Sequence, residues 1–261
     1  MNKYVYLLIV LILVLLSSCT TEPEEVEPWD AAKVCPETGT NAYGMPNRGT
    51  FTDERDGEVY RYTTIGKQVW MAENLRYNAP YSMCCNDTAF LKQYCELIEH
   101  DCKTESCCQN SMCNLFGRYY SIIKNGDRFG PIDDALVDTI CPKGWHIPTK
   151  VEWQELESNM INSGESEVLI ASRMKSDDTI YFAFSKKYSH KDAKMESGSD
   201  DCAFNILPSG SMVNDGSFYN TGAYVLSKTQ KNTNSLEVFH VTNYFDFFFQ
   251  GYRDPIRCVM D

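Results

Sequence analysis

The pattern of apolar and polar positions changes sharply near the start of the chain. Residues 4–16 are apolar without a break, and a positively charged Lys3 precedes them. A membrane-spanning helix needs about 20 apolar residues, so this run is too short to span and is typical of the core of a signal peptide. The pattern therefore predicts a signal peptide over residues 1–18.

Strand patterns begin near residue 51. Two β-rich runs, 58–65 and 68–72, are separated only by Gly66 and Lys67. A two-residue connection that contains glycine predicts a β-hairpin. Further strands are predicted toward the end of the chain, at 202–210 (running into a turn), 224–227, 237–242, 244–249 and 256–259.

Helix signals lie between these strands. Thr149 and Glu152 have the spacing of a capping box, and Trp153 begins an apolar stripe that continues at helical spacing. Two more helices are predicted over residues 117–124 and 165–175. Mixed signals of this kind predict an α+β fold, with two or three helices packed on short antiparallel sheets.

The end of the signal peptide carries a lipid-attachment motif. Residues Leu16-Ser17-Ser18-Cys19 resemble the lipobox of bacterial lipoproteins, in which the cysteine receives the lipid. The alternative is an ordinary signal peptide cut near the serines. The resemblance implies a lipid anchor on Cys19, and acyl chains can hold a protein to a membrane without a spanning helix. Because residue 20 is not an aspartate, it also implies an outer-membrane or cell-surface location.

Residues 19–50 have the composition of a tether. The segment 20–30 carries five acidic residues, two prolines and no basic residue, which predicts an extended, solvated chain. Cys35 is the one sign that the far end of the tether is fixed to the domain. The predicted organisation is a signal peptide, 1–18, an acidic tether, 19–50, and a folded domain, 51–261.

The cysteine content agrees with export. The chain has twelve cysteines, a number that exported chains use as disulfides. If Cys19 carries lipid, eleven remain, so at least one thiol stays free or pairs between chains. Seven cysteines fall within residues 83–113, which predicts a disulfide-stapled loop rather than a zinc site, since no Cys-x-x-Cys pair occurs there. The spacing leaves the connectivity of this segment open; its cysteines are Cys84, Cys85, Cys95, Cys102, Cys107, Cys108 and Cys113.

Charge and motifs restrict the function classes. The net charge of −12 disfavours nucleic acid as a partner, because such partners need basic patches. The four histidines lie in unlike contexts, and His146 is expected to pack beside Pro148 as part of the scaffold. The sequence has no nucleophile elbow, phosphate loop or zinc-protease motif. We therefore predict no enzymatic activity, no cofactor and no metal.

Four segments in a fixed order resemble one known family. They are 56–75 (with VWMAENL at 69–75), 113–120, 141–153 (beginning CPKGWHIP) and 256–261. Together they resemble the FISUMP family, the Fibrobacter succinogenes major paralogous domain, over residues 51–261. The sequence departs from the family pattern in its long cysteine-rich insert, in Val225-Leu226-Ser227-Lys228 and in Arg253-Asp254-Pro255.

The resemblance implies a C-type-lectin-like fold, which also houses formylglycine-generating enzymes. It implies that the last strand pairs with an early strand and that a disulfide joins Cys141 to Cys258. It also implies a bond from Cys113 to Cys84 or Cys85, and we assign it to Cys85. The calcium-binding and sugar-binding motifs of that fold are absent from the sequence, so the fold alone does not assign a ligand.

The most promising binding surface is the aromatic run 244–249. If it is a strand, Tyr244, Asp246 and Phe248 share one face, and this face suits stacking on sugar rings. The alternative is that a second packed layer covers it. The leading hypothesis is a cell-surface binding or adhesion module for plant-wall polysaccharide or a surface partner. The alternatives are an enzyme related to the formylglycine-generating group, with Cys202 and Cys258 as its cysteine pair, and a purely structural envelope protein.

Overall fold

The computed structural model describes residues 27–85, 87–97, 101–127, 130–162, 164–182, 195–213, 218–219, 222–232, 235–242, 245–249 and 253–261. It has the predicted α+β class, with several small antiparallel sheets. Its helices are α1 (Ala31–Val34), α2 (Thr88–Leu97), α3 (Glu105–Phe116), α4 (Asp134–Thr139), α5 (Lys150–Asn159) and α6 (Glu167–Met174), with a 3₁₀ turn at Lys124–Gly126. No described helix is both long enough and apolar enough to cross a membrane.

The strands belong to four sheets. They are β1 (Arg48–Thr52), β2 (Val59–Ile65), β3 (Gln68–Met71), β4 (Ser82–Met83), β5 (Tyr119–Tyr120), β6 (Trp145–His146), β7 (Ser211–Met212), β8 (Phe218–Tyr219), β9 (Ala223–Asn232), β10 (Ser235–Val241), β11 (Phe245–Phe249) and β12 (Val259–Met260). The largest sheet has the order β1-β2-β3-β12-β6, and a three-stranded sheet has the order β11-β10-β9. β4 pairs with β5, and β7 pairs with β8.

The terminal strand closes the largest sheet. β12 lies between β3 and β6, with Val259 opposite Trp70 on one side and opposite His146 on the other. The predicted hairpin is present as β2 and β3, and Gly66 in its turn has a φ of +59°, which glycine adopts without strain. β12, the last strand in the sequence, therefore lies between β3 and β6, two strands that come earlier in the chain.

Two core clusters lie on opposite faces of the sheets. Along β3, Val69 and Met71 belong to one cluster, whereas Trp70 between them belongs to the other. Strand β10 alternates in the same way, with Val238 in the first cluster and Phe239 in the second. Because successive side chains of a strand point to opposite faces, both faces of these strands are buried.

Helix α5 begins with the predicted capping box. The Thr149 side chain accepts from the Glu152 backbone amide, and the Glu152 carboxylate accepts from the Thr149 backbone amide. This start directs Trp153 into the second cluster, where its ring stacks on Phe239 with centroids 4.2 Å apart. Its ring also lies against Trp70, with centroids 4.6 Å apart. The apolar stripe of α5 therefore packs between the two main sheets.

The predicted tether is partly folded, which corrects the boundary at residue 50. Cys35 forms a disulfide with Cys202, and the Trp29 indole N–H donates to the Asn159 carbonyl at 2.8 Å. Strand β1 is part of the largest sheet. These contacts hold residues 27–50 against the domain despite their loop-like composition. The signal peptide, Cys19 and the rest of the predicted tether lie outside the described residues.

The cysteine-rich segment is a pair of helices, so the prediction of a loop was wrong, whereas the predicted disulfides within it are present. Helices α2 and α3 bury Leu91 and Tyr94 from one helix against Met112 and Phe116 from the other. These apolar residues have helical spacing, but the many cysteines between them obscured the stripe. The segment therefore has a small core of its own as well as its crosslinks.

Two other sequence predictions also fail. Residues after Gly117 form β5 rather than a helix, because Gly117 ends α3 with a φ of +83°. A Cβ at this glycine would lie 2.6 Å from the Asn74 Cβ, so the chain needs glycine at this close approach. The segment 202–210 contains no strand, and the first strand beyond it is β7.

Candidate functional site

Five disulfides join ten of the described cysteines. They are Cys35–Cys202, Cys84–Cys113, Cys95–Cys108, Cys102–Cys107 and Cys141–Cys258. The pairing of Cys141 with Cys258 is the one implied by the family resemblance. It joins the segment before β6 to the residue before β12.

The assignment of Cys85 to the bond with Cys113 is wrong. Cys84 makes that bond, while Cys85 is a free, buried thiol in the cluster that contains Tyr119. Neighbouring side chains point in different directions, so only one of the two can reach Cys113. Burial raises the pKa of the Cys85 thiol to about 12, and a protonated buried thiol is a poor nucleophile.

His146 lies between two carboxylates. Its Nε2 is 2.8 Å from Glu152 Oε1, and its Nδ1 is 2.7 Å from Asp261 Oδ1. The hydrogen bond with Glu152, with a further contribution from Asp261, raises the pKa of His146 although partial burial opposes this. Burial alone would raise the pKa of Glu152, but hydrogen bonds with His146 and Thr149 lower it to about 2.

This geometry gives His146 a structural role. A protonated imidazole donates from both nitrogens, and both nitrogens here face carboxylate oxygens. The ring then has no lone pair available for general-base catalysis or for a metal. His146 is part of the scaffold, as expected, but through ion pairs that join β6, α5 and the last residue rather than through packing beside Pro148.

The cysteine pair required by the enzyme alternative is divided between two crosslinks. Cys202 is bonded to Cys35, and Cys258 is bonded to Cys141. All four of these cysteines are buried, with at most 7% of the residue exposed. Neither Cys202 nor Cys258 is therefore available as a thiol in this structure.

The predicted ligand surface is only partly described. Asp246 is exposed on β11, opposite His240 of β10 in the register. Phe248 lies in the same strand, but its side chain is outside the described part, and Tyr244 lies outside the described residues altogether. Among the described strands β11 pairs with β10 alone, so it is the outer strand of its sheet.

A cation lies beside this outer strand. The Lys150 ammonium is 4.5 Å from the centre of the half-buried Phe247 ring, and it forms an ion pair with Glu237 at 3.2 Å. Phe247 also contacts the core, since its ring centroid is 5.4 Å from that of Phe239. The edge of the sheet thus presents charge of both signs next to an aromatic ring.

A second candidate site lies on the helical pair. A cleft of about 450 Å³ opens between α2 and α3. Apolar and sulfur-bearing side chains and charged side chains of both signs line it: Thr88, Leu91, Lys92, Cys95, Glu96, Cys102, Lys103, Thr104, Glu105 and Cys108. Sequence patterns could not find this cleft, because it exists only when the two helices pack together.

The motif residues hold the scaffold together. Arg257 is 1% exposed, and its guanidinium donates to the Asn74 side-chain oxygen at 3.1 Å and to the backbone carbonyls of Phe204 and Asn205. Burial lowers the pKa of Arg257 to about 9. Asn74 also donates to the Phe116 carbonyl. Two of the recognised segments, 56–75 and 256–261, are thus joined by buried hydrogen bonds.

Comparison with family models gives a match over most of the chain. The model of the Fibrobacter succinogenes major domain, Fib_succ_major, matches residues 63–260. The chain belongs to this family. No curated protein matches the chain, and no solved structure matches it.

In this Fib_succ_major domain the recognised motifs and the candidate sites are separate. The motifs supply the hairpin, the Cys141–Cys258 crosslink and the Arg257 contacts. The outer strand β11 and the cleft between α2 and α3 lie beyond the most specific motif strings. The family match therefore accounts for the scaffold, and these two surfaces are the candidates for ligand binding in the part of the chain that the structure describes.

Proposed function

We propose that this Fib_succ_major domain is a lipid-anchored module at the cell surface that binds a polysaccharide or a surface protein without catalysing a reaction. The observation that carries the proposal is the outer strand β11, which presents the exposed Asp246 within a run of aromatic residues. Aromatic rings beside hydrogen-bonding groups suit sugar recognition, because a ring can stack on the apolar face of a sugar while a carboxylate accepts from its hydroxyls.

The state of the reactive groups supports a binding role. Both nitrogens of His146 face carboxylates, and the two cysteines near the end of the chain are in disulfides. General-base catalysis needs a free lone pair, and cysteine oxygen chemistry needs reduced thiols. A thiol assay on the folded protein tests the rival enzyme hypothesis. Reduced Cys202 and Cys258 close together would favour it.

We also propose that the fold is C-type-lectin-like. The support is topological: the last strand pairs with the early β3, and a disulfide joins Cys258, just before that strand, to Cys141, before β6. An experimental structure whose terminal strand lay elsewhere would contradict this assignment.

The lipid anchor is proposed from the sequence motif at Cys19 and has a direct test. Cells that express the full chain are labelled with a fatty acid, and the label is followed in the purified protein. Incorporation is expected in the natural chain and not in Cys19→Ala. Equal labelling of the two would contradict the lipobox assignment.

Binding is tested with the purified full chain on a panel of plant-wall polysaccharides and on cell-surface protein. The variants Tyr244→Ala and Phe248→Ala should each lower the affinity by about tenfold, the usual loss for an aromatic side chain central to an interface. Tyr43→Ala is the matched control, because Tyr43 is 48% exposed in a loop before β1. Retention of no polysaccharide and no surface protein would favour a purely structural envelope role.

A further inference from the structure

The disulfide Cys102–Cys107 is the most accessible bond among the described cysteines. Cys107 is exposed and Cys102 is half-buried, whereas each of the other four described disulfides includes at least one cysteine that is at most 8% exposed. Its two cysteines are only 5 residues apart in sequence, the shortest separation of the five. A short loop limits the unfolded chain least, so the bond gains little stability from chain entropy. This disulfide is therefore the one that a thiol from another molecule can open first.

The start of α3 favours attack on the Cys107 sulfur. α3 has twelve residues, and Thr104 caps its start by accepting from the Cys107 backbone amide at 3.2 Å. Cys107 therefore lies in the first turn of the helix. In thiol–disulfide exchange a thiolate attacks one sulfur of the bond, so negative charge approaches that sulfur. The amide groups and dipole of a helix N-terminus stabilise negative charge at this position.

A second disulfide lies next to the first. The Cys102 sulfur is within 4.8 Å of both sulfurs of the bonded pair Cys95–Cys108. A Cys102 thiolate released from Cys107 can therefore reach this second bond by a small rotation of its side chain. Cys95 and Cys108 are 9% and 6% exposed, so whichever of them is displaced becomes a buried thiol. A buried thiol stays protonated and is a poor nucleophile, which slows the reverse reaction.

An open depression of about 590 Å³ runs along α3 beside the exposed bond. Both Cys102 and Cys107 line it, and the other lining residues are polar and uncharged: Thr104, Ser106, Asn110, Ser111 and Asn114. Hydroxyl and amide side chains can both donate and accept hydrogen bonds. This lining therefore suits the backbone of a peptide segment, whose amide and carbonyl groups need partners of both kinds.

We propose that Cys107 captures a cysteine of a partner protein as a mixed disulfide. The partner thiol loses its proton to solvent, and its thiolate forms a bond with the Cys107 sulfur while Cys102 leaves with the electron pair. The Cys102 thiolate then bonds to one sulfur of Cys95–Cys108, and the other sulfur leaves with the electron pair and takes a proton from solvent. Two disulfides exist before and after the exchange, so no further oxidant or reductant is needed. Each chain reacts once, and the site is independent of the β11 surface.

The test is incubation of the oxidised full chain with a short reduced peptide that contains one cysteine. The reaction is stopped with acid, free thiols are alkylated, and the bonds are located by peptide mapping with mass spectrometry. One peptide per chain should be attached to Cys107, and Cys102 should be bonded to Cys95 or Cys108. The same peptide with serine in place of its cysteine should leave all five disulfides unchanged.

Two double variants test the second exchange. In Cys95→Ala with Cys108→Ala the Cys102 thiolate can attack only Cys107, which expels the peptide. Neighbouring groups on one chain have effective concentrations on the order of 1 mM, so with about 0.1 mM peptide the amount of adduct should fall roughly tenfold. Cys84→Ala with Cys113→Ala is the matched control, because it removes a nearby crosslink outside this exchange and should leave the adduct unchanged. If the first variant fails to fold, the position of the Cys102 bond in the natural chain tests the same step.

Three results would overturn the proposal. They are a natural chain that takes up no peptide, a peptide attached at another disulfide, and an adduct at Cys107 in which Cys102 remains a free thiol. Tyr244→Ala, which is expected to weaken ligand binding at β11, should leave the capture of the peptide unchanged. Loss of capture in that variant would also count against a site that is independent of β11.

Discussion

The disulfide that fixes the N-terminal segment should contribute much more to stability than the short crosslink on the hairpin. Cys35 and Cys202 are 167 residues apart in sequence, whereas Cys102 and Cys107 are 5 apart. A crosslink limits the unfolded chain more when its loop is longer. The chain-entropy model gives about 5 kcal/mol for the long loop and about 2 kcal/mol for the short one.

The perturbations are two double variants, Cys35→Ala with Cys202→Ala and Cys102→Ala with Cys107→Ala. Alanine avoids burying an unpartnered hydroxyl at Cys35 and Cys202, which are 1% and 0% exposed. The assay is urea unfolding under oxidising conditions, with peptide mapping to verify the other bonds. The long-loop variant should lose about 3 kcal/mol more than the short-loop variant, the difference between the two loop entropies.

Equal losses in the two variants would refute this reasoning. A loss below about 1 kcal/mol in the long-loop variant would do so too, because it would place the bond far under the range for native disulfides. Limited proteolysis gives a second measurement. If the bond holds residues 27–47 to the domain, cleavage near Trp29 should be faster in the long-loop variant and unchanged in the other.

Three further predictions concern buried or paired charges. Because the folded pKa of His146 is raised, its contribution to stability is complete below the unfolded pKa and is lost as pH rises through the folded pKa. In urea unfolding at several pH values, His146→Gln should lower the free energy of unfolding by about 1 kcal/mol near pH 6 and should reduce its decline with rising pH. Burial raises the pKa of Asp254 to about 7, so stability should fall as pH rises from about 4 to 7. Asp254→Asn can still form the hydrogen bond with Ser211, and it should remove this fall in stability in thermal melts. Arg257→Met should lower the free energy of unfolding by about 3 kcal/mol or more in chemical unfolding, because it leaves buried carbonyl groups without a donor. A loss of stability near zero would contradict the structural role of this guanidinium.

The elements that the sequence predicted well are those set by neighbouring residues. The Gly66 turn and the Thr149 capping box each depend on a few adjacent positions, and both are present in the structure. Local rules suffice there because the hydrogen bonds close within the segment itself.

The elements that sequence reasoning missed depend on distant contacts. The folded state of residues 27–50 rests on Cys202 and Asn159, which are more than a hundred residues away. The helical hairpin was hidden because cysteines occupy part of its apolar stripe, and composition alone suggested a loop. The choice between Cys84 and Cys85 depends on which side chain faces Cys113, and spacing in the sequence does not contain that direction.

The separation between motifs and candidate sites explains why the family match identifies a scaffold rather than a ligand. Arg257, Asn74 and Cys258 are almost completely buried, and their partners are protein groups, so substitutions there would change stability before they changed binding. The exposed Asp246 on β11 and the cleft between α2 and α3 lie outside the most specific motif strings. Chains that share the motifs can therefore share this core while differing at both surfaces. The ligand of each such chain must therefore be established by binding experiments at those two surfaces.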